Sequence, residues 1–375
     1  MTDQPMTYAG SGVDYDALDR FKRKAQEAAA EIRMDDVLTG GFSSVESSRG
    51  ESVYLMEGPN FYLAHVEEGL GTKNLVADML PATKLINWGP FRKRYYANLA
   101  QDTVAMIVND MITLGAIPLS VAMHLAVGDS AYLEDESRMD GIIDGWQRAC
   151  EMSACLWGGG ETPVLKGIVD PGTMLLSGSA IGIIEPKRNL IRCNIQPGDA
   201  IVMLASSGIH ANGLTLARQI LEKVGYTGIM SDGRAFVEAL LKPTYIYVEA
   251  MDDLLLGGVG VHYAVNITGH GWRKLMRAVE PFVYVIEEVP PPQPVFDFIA
   301  EHGPVDQEEM YANYNMCAGF AVYVDPAEAD EVVRASARCG IKAWVAGHVE
   351  KRGEEKKVVI EPLGIEYDGS TLEVR

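Results

Sequence analysis

Several polar, glycine-containing clusters hold the residues best suited to chemistry. The first, Glu67-Glu68-Gly69-Leu70-Gly71-Thr72-Lys73, directly follows a strand-like run. Gly69 and Gly71 let a backbone approach an anion closely, Thr72 offers a hydroxyl and Lys73 a positive charge. Its spacing is not that of the GxxxxGK[ST] phosphate loop, and the same residues also make an ordinary Gly-rich turn. The second cluster is Asp102, Asn109 and Asp110, on a helix whose other face is apolar. Asp102 and Asn109 share nearly one side of that helix but lie about 10 Å apart at about 1.5 Å per residue. One ion is too small to join them. Two or more Mg²⁺ ions along a triphosphate, or a break in the helix, would fit metal binding; otherwise Asp102 caps the helix and Asp110 is solvated.

A third cluster, Trp157-Gly158-Gly159-Gly160-Glu161-Thr162-Pro163, reads as a Gly-rich turn ending in an acid and a hydroxyl. Ser206-Ser207-Gly208-Ile209-His210-Ala211-Asn212-Gly213 lies between a buried strand and a helix, so its N–H groups and the helix N-terminus suit a phosphate. Asn266-Ile267-Thr268-Gly269-His270-Gly271 repeats that arrangement before a helix expected over 272–279. Two such units suggest a phosphate pocket in the second half. The basic group Arg92, Lys93, Arg94 reads as a solvated turn or a phosphate contact. There is no GxSxG elbow, HExxH motif or Cys/His pair at a recognisable spacing, and His65, His124, His262, His302 and His348 are scattered. Covalent catalysis is the weaker proposal.

The elements that position these clusters follow from periodicity. Asp14 to Ile32 spaces Leu18, Phe21, Ala25, Ala28 and Ile32 as one helical face; Ser52–Met56 and Phe61–Val66 flank a Gly58-Pro59-Asn60 turn as a hairpin. Helices are expected over 102–114 and around Met139 to Cys150, with strands over 119–127 and 174–184. Glu185 to Asn189 is the expected joint, giving domains 1–185 and 186–375. Beyond it come strands at 200–205, 281–289 and 319–324, helices at 214–224 and 326–338, and short strands near Trp344 and Val359. Strands and helices mix without regular βαβ alternation, which indicates two α+β domains.

Composition agrees: 375 residues at 47% hydrophobic and 22% charged exceed one core of about 250 to 300 residues. A formal charge of −20 argues against a nucleic-acid surface. The five cysteines include no CxxC pair, which points away from zinc and disulfides toward a reducing compartment. No apolar run approaches the length of a membrane span and no signal-peptide pattern opens the chain, so a cytoplasmic protein is expected.

Taken in order, the motifs resemble the phosphoribosylformylglycinamidine cyclo-ligase (aminoimidazole ribonucleotide synthetase) family from about Tyr8 to Val359. Tyr8 to Asp14, Glu68 to Lys73, Asp102 to Asp110, Gly159 to Thr162, Ser206 to Gly213, Pro243 to Val248 and Glu309 to Met316 carry the resemblance. It implies an N-terminal domain that forms a β-barrel across a homodimer and a C-terminal α+β domain closing a cleft for ATP. It implies Glu68, Asp102, Asn109 and Asp110 as Mg²⁺ ligands, and Gly69, Gly71, Thr72, Lys73, Asn109, Gly160, Thr162, Gly208, Asn212, Gly213, Thr268, Gly269 and His270 as nucleotide contacts. Lys73, His210 and Glu161 are the implied catalytic residues, with His210 the candidate for proton transfer, and Gly40-Gly41-Phe42 resembles a loop near the nucleotide. The implied reaction is ATP-dependent closure of formylglycinamidine ribonucleotide to aminoimidazole ribonucleotide. Departures from the family pattern are Glu68 for an Asp, Val164 for an acid, Asn266 for a His, His270 for a Gly, Ala312 for an Arg and Ser43 after Gly-Gly-Phe. They leave room for two alternatives: a superfamily relative with another small-molecule acceptor, or a non-catalytic paralogue.

Overall fold

The computed structural model describes residues 6–7, 9–12, 15–32, 41–80 and 89–372. Tyr8, Val13, Asp14 and Gly40 lie outside them. Helix α1 is Tyr15–Ala30; strands β1 (Ser43–Ser44), β2 (Tyr54–Glu57) and β3 (Tyr62–Gly69) follow, then helices α2 (Asn74–Met79) and α3 (Gly89–Met111). Next come β4 (Ile117–Val127), α4 (Glu136–Met152), β5 (Leu156–Glu161) and β6 (Met174–Ile184). These strands form a six-stranded sheet in the order β1-β2-β3-β6-β4-β5, antiparallel except for β4–β5.

The second sheet has seven strands in the order β13-β12-β9-β11-β7-β10-β8. They are β7 (Ala200–Ala205), β8 (Val261–Asn266), β9 (Val283–Ile286), β10 (Ala318–Val324), β11 (Ala343–Glu350), β12 (Lys357–Ile360) and β13 (Ile365–Asp368). Helices α5 (Leu214–Val224), α6 (Phe236–Leu240), α7 (Val248–Leu256), α8 (Pro294–His302), α9 (Gln307–Asn313) and α10 (Ala329–Arg338) accompany them. This is a mixed α+β architecture of two sheets, as the irregular alternation predicts.

Each sheet's burial follows from its neighbours. In β6, Met174, Leu176, Ala180 and Ile184 are buried while Leu175 and Ile181 on the opposite face are half exposed. The inner face packs against α3, where Val104, Ile107, Val108 and Met111 are buried, and α4 covers α3 with Ile142, Trp146 and Ala149. Strand β10 is buried along its whole length, as expected of a central strand covered on both sides. Asp135 caps α4 by accepting from the Arg138 N–H at 3.0 Å, and Asp306 caps α9 through Glu309 N–H at 2.7 Å.

Three elements differ from the sequence expectation. The helix expected from Asp102 begins at Gly89, more than three turns earlier. The Gly-rich stretch expected as a turn at 157–163 is the edge strand β5, and a Cβ on Gly160 would lie 2.0 Å from Met123 O, so only glycine lets the two backbones pair there. The segment expected as a helix over 272–279 is a 3-10 turn at Gly271–Met276. Helix α1 forms where expected but docks the other way round. Leu18, Phe21 and Ile32 are exposed, Phe21 at 74%, while Asp19 is buried with its Oδ2 3.7 Å from His270 Nε2. The polar face of α1 turns inward because polar groups of the site, His270 among them, lie beneath it.

Candidate functional site

The site is built where α3 meets the second sheet. Residues Thr244 to Tyr247 run along the polar side of α3 and are fastened to it at both ends. Asp102 Oδ1 accepts from the Thr244 N–H at 2.8 Å and the Thr244 hydroxyl at 2.5 Å, and Gln101 Nε2 donates to Thr244 O at 2.9 Å. Two helical turns further, Asn109 Nδ2 donates to Tyr245 O at 2.8 Å and Asn109 Oδ1 accepts from the Tyr247 N–H at 2.9 Å. Seven residues of helix and three of extended chain both span about 10 Å, so the spacing matches a backbone ladder.

Lys73 completes this joint. It is fully buried, its ammonium 2.7 Å from Asp102 Oδ2, and it donates to His210 O at 2.9 Å and Lys242 O at 2.7 Å. Burial pushes the Lys73 pKa down and the Asp102 pKa up, and their mutual attraction opposes both. Of the residues expected to hold metal or phosphate, Lys73, Asp102 and Asn109 are therefore turned to joining the two halves, with their polar atoms occupied.

Glu68 and Asp110 stand apart from that joint and face one another. Glu68 has a pKa pushed up to about 7, first by burial and then by the Asp110 charge. Asp110 Oδ1 accepts from Asn266 Nδ2 at 2.7 Å. Lys274, which no sequence motif marked, joins them: it is half-buried, donates to the Thr268 hydroxyl, and has a pKa lowered to about 8, chiefly by desolvation and then by Arg277. A buried and a half-buried carboxylate that repel one another fit a divalent cation with oxygen ligands.

The turn of residues 206–213 follows β7, whose Leu204 pairs through Phe320 with Asn266, the partner of Asp110. Its carbonyls are tied back: Gln293 Nε2 donates to Ser206 O and Asn315 Nδ2 to Gly208 O, both at 2.9 Å, while the Ser206 N–H donates to Cys317 O at 2.8 Å. Among the described residues, no acceptor meets the backbone N–H groups of Gly208, Ile209, His210, Ala211, Asn212 or Gly213. Most of these residues are buried, and α5 begins directly after them. Buried N–H groups without acceptors at a helix N-terminus fit an anion such as a phosphate. Gly213 has φ +78°, and a Cβ there would sit 2.2 Å from the Tyr314 ring. The Thr72 hydroxyl, 3.4 Å from that of Thr215 on α5, brings the Gly69–Thr72 turn to the same place.

His210 is buried with φ +61°, and its Nε2 accepts from the Ser207 N–H at 3.1 Å. Burial, Lys73 and Lys242 hold its pKa down to about 3, so the imidazole is neutral and clamps the turn. His270, at φ +68°, is also held neutral by burial and by Arg273, at about 3. Thr268 and Gly269 precede it beside Lys274. Gly160, Glu161 and Thr162 are exposed at the sheet's other edge. Through the register Glu68–Gly178–Met123–Gly160 they lie three strands away, about 14 Å at about 4.8 Å per strand. The structure does not bring them to Glu68 and Asp110. Gly41 and Phe42 are described, with the Phe42 ring 5.9 Å from that of Phe61.

Arg92 and Lys93 turn toward α4, pairing with Asp135 and Asp144, while Arg94 faces residues 234–243. Among the described residues, no group of three or more His, Cys, Asp or Glu side chains converges to hold a metal, so a cation at Glu68 and Asp110 would draw its remaining ligands from elsewhere. No helix among them is long and apolar enough to cross a membrane.

Comparison with known proteins bears on the same residues. Residues 78–184 match the N-terminal domain, and 196–360 the C-terminal domain, of the AIR synthase related protein models. A phosphoribosylformylglycinamidine cyclo-ligase of Symbiobacterium thermophilum is 33% identical over 365 residues, covering 93% of this chain and 96% of its own. One from Sorangium cellulosum is 34% identical over 363 residues, with 93% and 97% covered. Among solved structures, a HypE–HypF complex matches with TM-score 0.58 at 16% identity over 92% of this chain and 98% of that one. Thermotoga maritima PurL complexed with ATP matches with TM-score 0.54 at 15% identity over 94% and 52%. The structures establish the shared fold, and the sequence matches establish that this chain belongs to the phosphoribosylformylglycinamidine cyclo-ligase family of AIR synthase related proteins.

Proposed function

We propose that this chain closes the imidazole ring of aminoimidazole ribonucleotide from formylglycinamidine ribonucleotide, using ATP and releasing ADP and phosphate, as a C–N bond-forming ligase of purine biosynthesis. Family membership over nearly the whole chain supports the reaction. The single structural observation that carries it is the set of unpaired backbone N–H groups at residues 208–213 beside the Glu68–Asp110 pair. An amide oxygen is a poor leaving group and a phosphate a good one, so phosphorylating the formyl oxygen lets an amidine nitrogen attack that carbon. Such chemistry needs charge placement more than a nucleophile.

In this reading the 208–213 amides and Thr72 hold phosphate oxygens, and Lys274 adds positive charge beside them. Gly69, Gly71, Asn212, Gly213, Thr268, Gly269 and His270 line the same pocket. Mg²⁺ held by Glu68 and Asp110 would neutralise phosphate charge. Lys73, Asp102 and Asn109 keep the two halves in register, and neutral His210 fixes the turn rather than moving a proton. Gly160, Glu161 and Thr162 enter on the family resemblance alone. We divide the chain into a first domain to residue 185 and a second from 186, and place it in the cytoplasm as a homodimer. Exposed Leu119, Leu156, Trp157, Leu175 and Ile181 on the outer face and edge of the first sheet support a second copy there.

The test is ADP release by the purified protein with Mg-ATP, with and without formylglycinamidine ribonucleotide, while aminoimidazole product is followed. Substrate-dependent ADP matched by equimolar product is expected. ATP turnover with no aminoimidazole would assign the site to another acceptor, and no turnover at all would favour a non-catalytic paralogue.

A further inference from the structure

The three consecutive basic residues at the start of α3 have different fates. Arg92 pairs with Asp135 at 2.6 Å and Lys93 with Asp144 at 2.6 Å, so both are neutralised from the side of α4. Arg94 meets no carboxylate among the described residues. Its guanidinium lies over the Phe91 and Tyr95 rings at 5.3 and 5.1 Å, which fixes its plane, and it donates to the Tyr95 hydroxyl at 3.4 Å.

Arg94 lines a cavity of about 370 Å³ between α3 and the stretch 234–243, with Tyr95, Asn98, Arg234, Glu238 and Lys242 among its walls. The Lys242 ammonium likewise has no hydrogen-bond or ion-pair partner among the described residues, and burial and Arg234 lower its pKa. Arg234 is paired with Asp232 at 2.5 Å, and Glu238 accepts from the Tyr95 hydroxyl at 3.3 Å. Three cations against one carboxylate in the lining, two of them uncompensated, is an unusual balance on a chain of formal charge −20. Like charges gathered around a concavity repel one another until an anion enters. Arg presents a planar fork suited to two phosphate oxygens and Lys a point charge, and the volume is in the range of small-molecule sites.

We propose that this cavity binds the phosphate monoester of a small phosphorylated sugar, with Arg94 and Lys242 as its anion contacts and Tyr95 and Pro243 as the wall against the sugar. The inference goes beyond the ring-closure reading and does not depend on the acceptor in that reaction. Lys242 does tie the cavity to the site, because its carbonyl accepts from Lys73 while its side chain lines the cavity.

The experiment is isothermal titration of the full chain with ribose 5-phosphate, inorganic phosphate and ribose, in the wild type and in Arg94→Gln, Lys242→Gln and Glu238→Gln. Ribose 5-phosphate should bind saturably and ribose should not. Each cation variant should weaken binding about fivefold or more, and the pair about thirtyfold, because each removes one charge-assisted contact. Glu238→Gln should tighten binding about two- to fivefold by removing the opposing charge, a gain that misfolding cannot mimic. No binding by the wild type, or an affinity that none of the three substitutions changes, overturns the proposal. Inorganic phosphate binding as tightly as the sugar phosphate would overturn the sugar assignment in favour of the free anion. ADP release measured in parallel tells failure of this site from failure of the ring-closure reading.

Discussion

Glu68 is an acid whose burial works against its own ionisation, and replacing it with glutamine isolates that cost. Its pKa stands at about 7 in the folded protein against an ordinary value of 4.5. That displacement makes the ionised form about 3 kcal/mol less stable in the fold than in the unfolded chain. Below pH 4.5 the carboxyl is protonated in both states and there is no cost. Between 4.5 and 7 the folded state binds more protons than the unfolded state, so stability falls as pH rises, and above 7 the whole cost is present. Glutamine is neutral throughout. At pH 8 Glu68→Gln should therefore melt higher than the wild type by about 4 °C, from about 2.1 cal/mol/K of unfolding entropy per residue over this chain length. At pH 4.5 the two proteins should melt together.

The measurement is differential scanning calorimetry of both proteins across pH 4.5 to 8.5, with and without Mg²⁺. A divalent cation held by Glu68 and Asp110 relieves the same repulsion, so Mg²⁺ should raise the wild-type melting temperature more than that of Glu68→Gln. The substitution should also cost ADP release, giving a protein that is more stable and less active. A variant no more stable than the wild type at pH 8, or one offset equally at both ends of the pH range, would refute the argument that Glu68 is held in a repulsive, desolvated pair.

Further outcomes follow from the joint, the turn and the outer face. Lys73→Met leaves Asp102 buried without its cation and should cost about 3–5 kcal/mol in denaturant unfolding, most of it recovered in Lys73→Met/Asp102→Leu; a variant that melts normally but has lost turnover would make Lys73 a phosphate contact instead. Asn109→Ala removes both hydrogen bonds to the 244–247 segment and should cost about 2–4 kcal/mol, with faster amide exchange at Tyr247 as its signature. Gly213→Ala forces a side chain into a left-handed position against Tyr314, so nucleotide affinity measured by titration should fall along with about 1–3 kcal/mol of stability. Ile181→Asp on the exposed face of β6 should convert a dimer to a monomer by light scattering while leaving the melting of the first sheet's core little changed.

Periodicity located nearly every long element because burial imposes it. Strand β6 and helix α5 fall on 174–184 and 214–224, the ranges their apolar spacing predicts. Strand β5 escaped because a strand is read from its side chains, and Gly158, Gly159 and Gly160 have none to alternate; what makes it a strand is the closeness of the β4 backbone. Helix α1 was legible as a helix but not in its facing. The rule that apolar residues turn inward fails where the surface beneath is itself polar, as at His270 and Lys274.

The candidate site shows why residue type and spacing underdetermine role. Asp102, Asn109 and Lys73 have the chemistry of metal and phosphate ligands, yet Asp102 and Asn109 hold residues 244–247, because seven helical residues match three extended ones in length, and Lys73 holds Asp102 and the carbonyls of His210 and Lys242. Only the position of residues 244–247 discloses this, and that segment is more than 130 residues away in the chain. Lys274 was invisible for the converse reason: it sits in no glycine-rich motif, and its proximity to Glu68 and Asp110 arises from the fold alone. The turn at 206–213 was legible as a phosphate candidate from its place between a strand and a helix. What the fold adds is the reason its amides are available. Gln293 and Asn315 occupy the carbonyls of Ser206 and Gly208, so the turn keeps its donors without acceptors inside a buried region, at an energetic cost that an anion would remove.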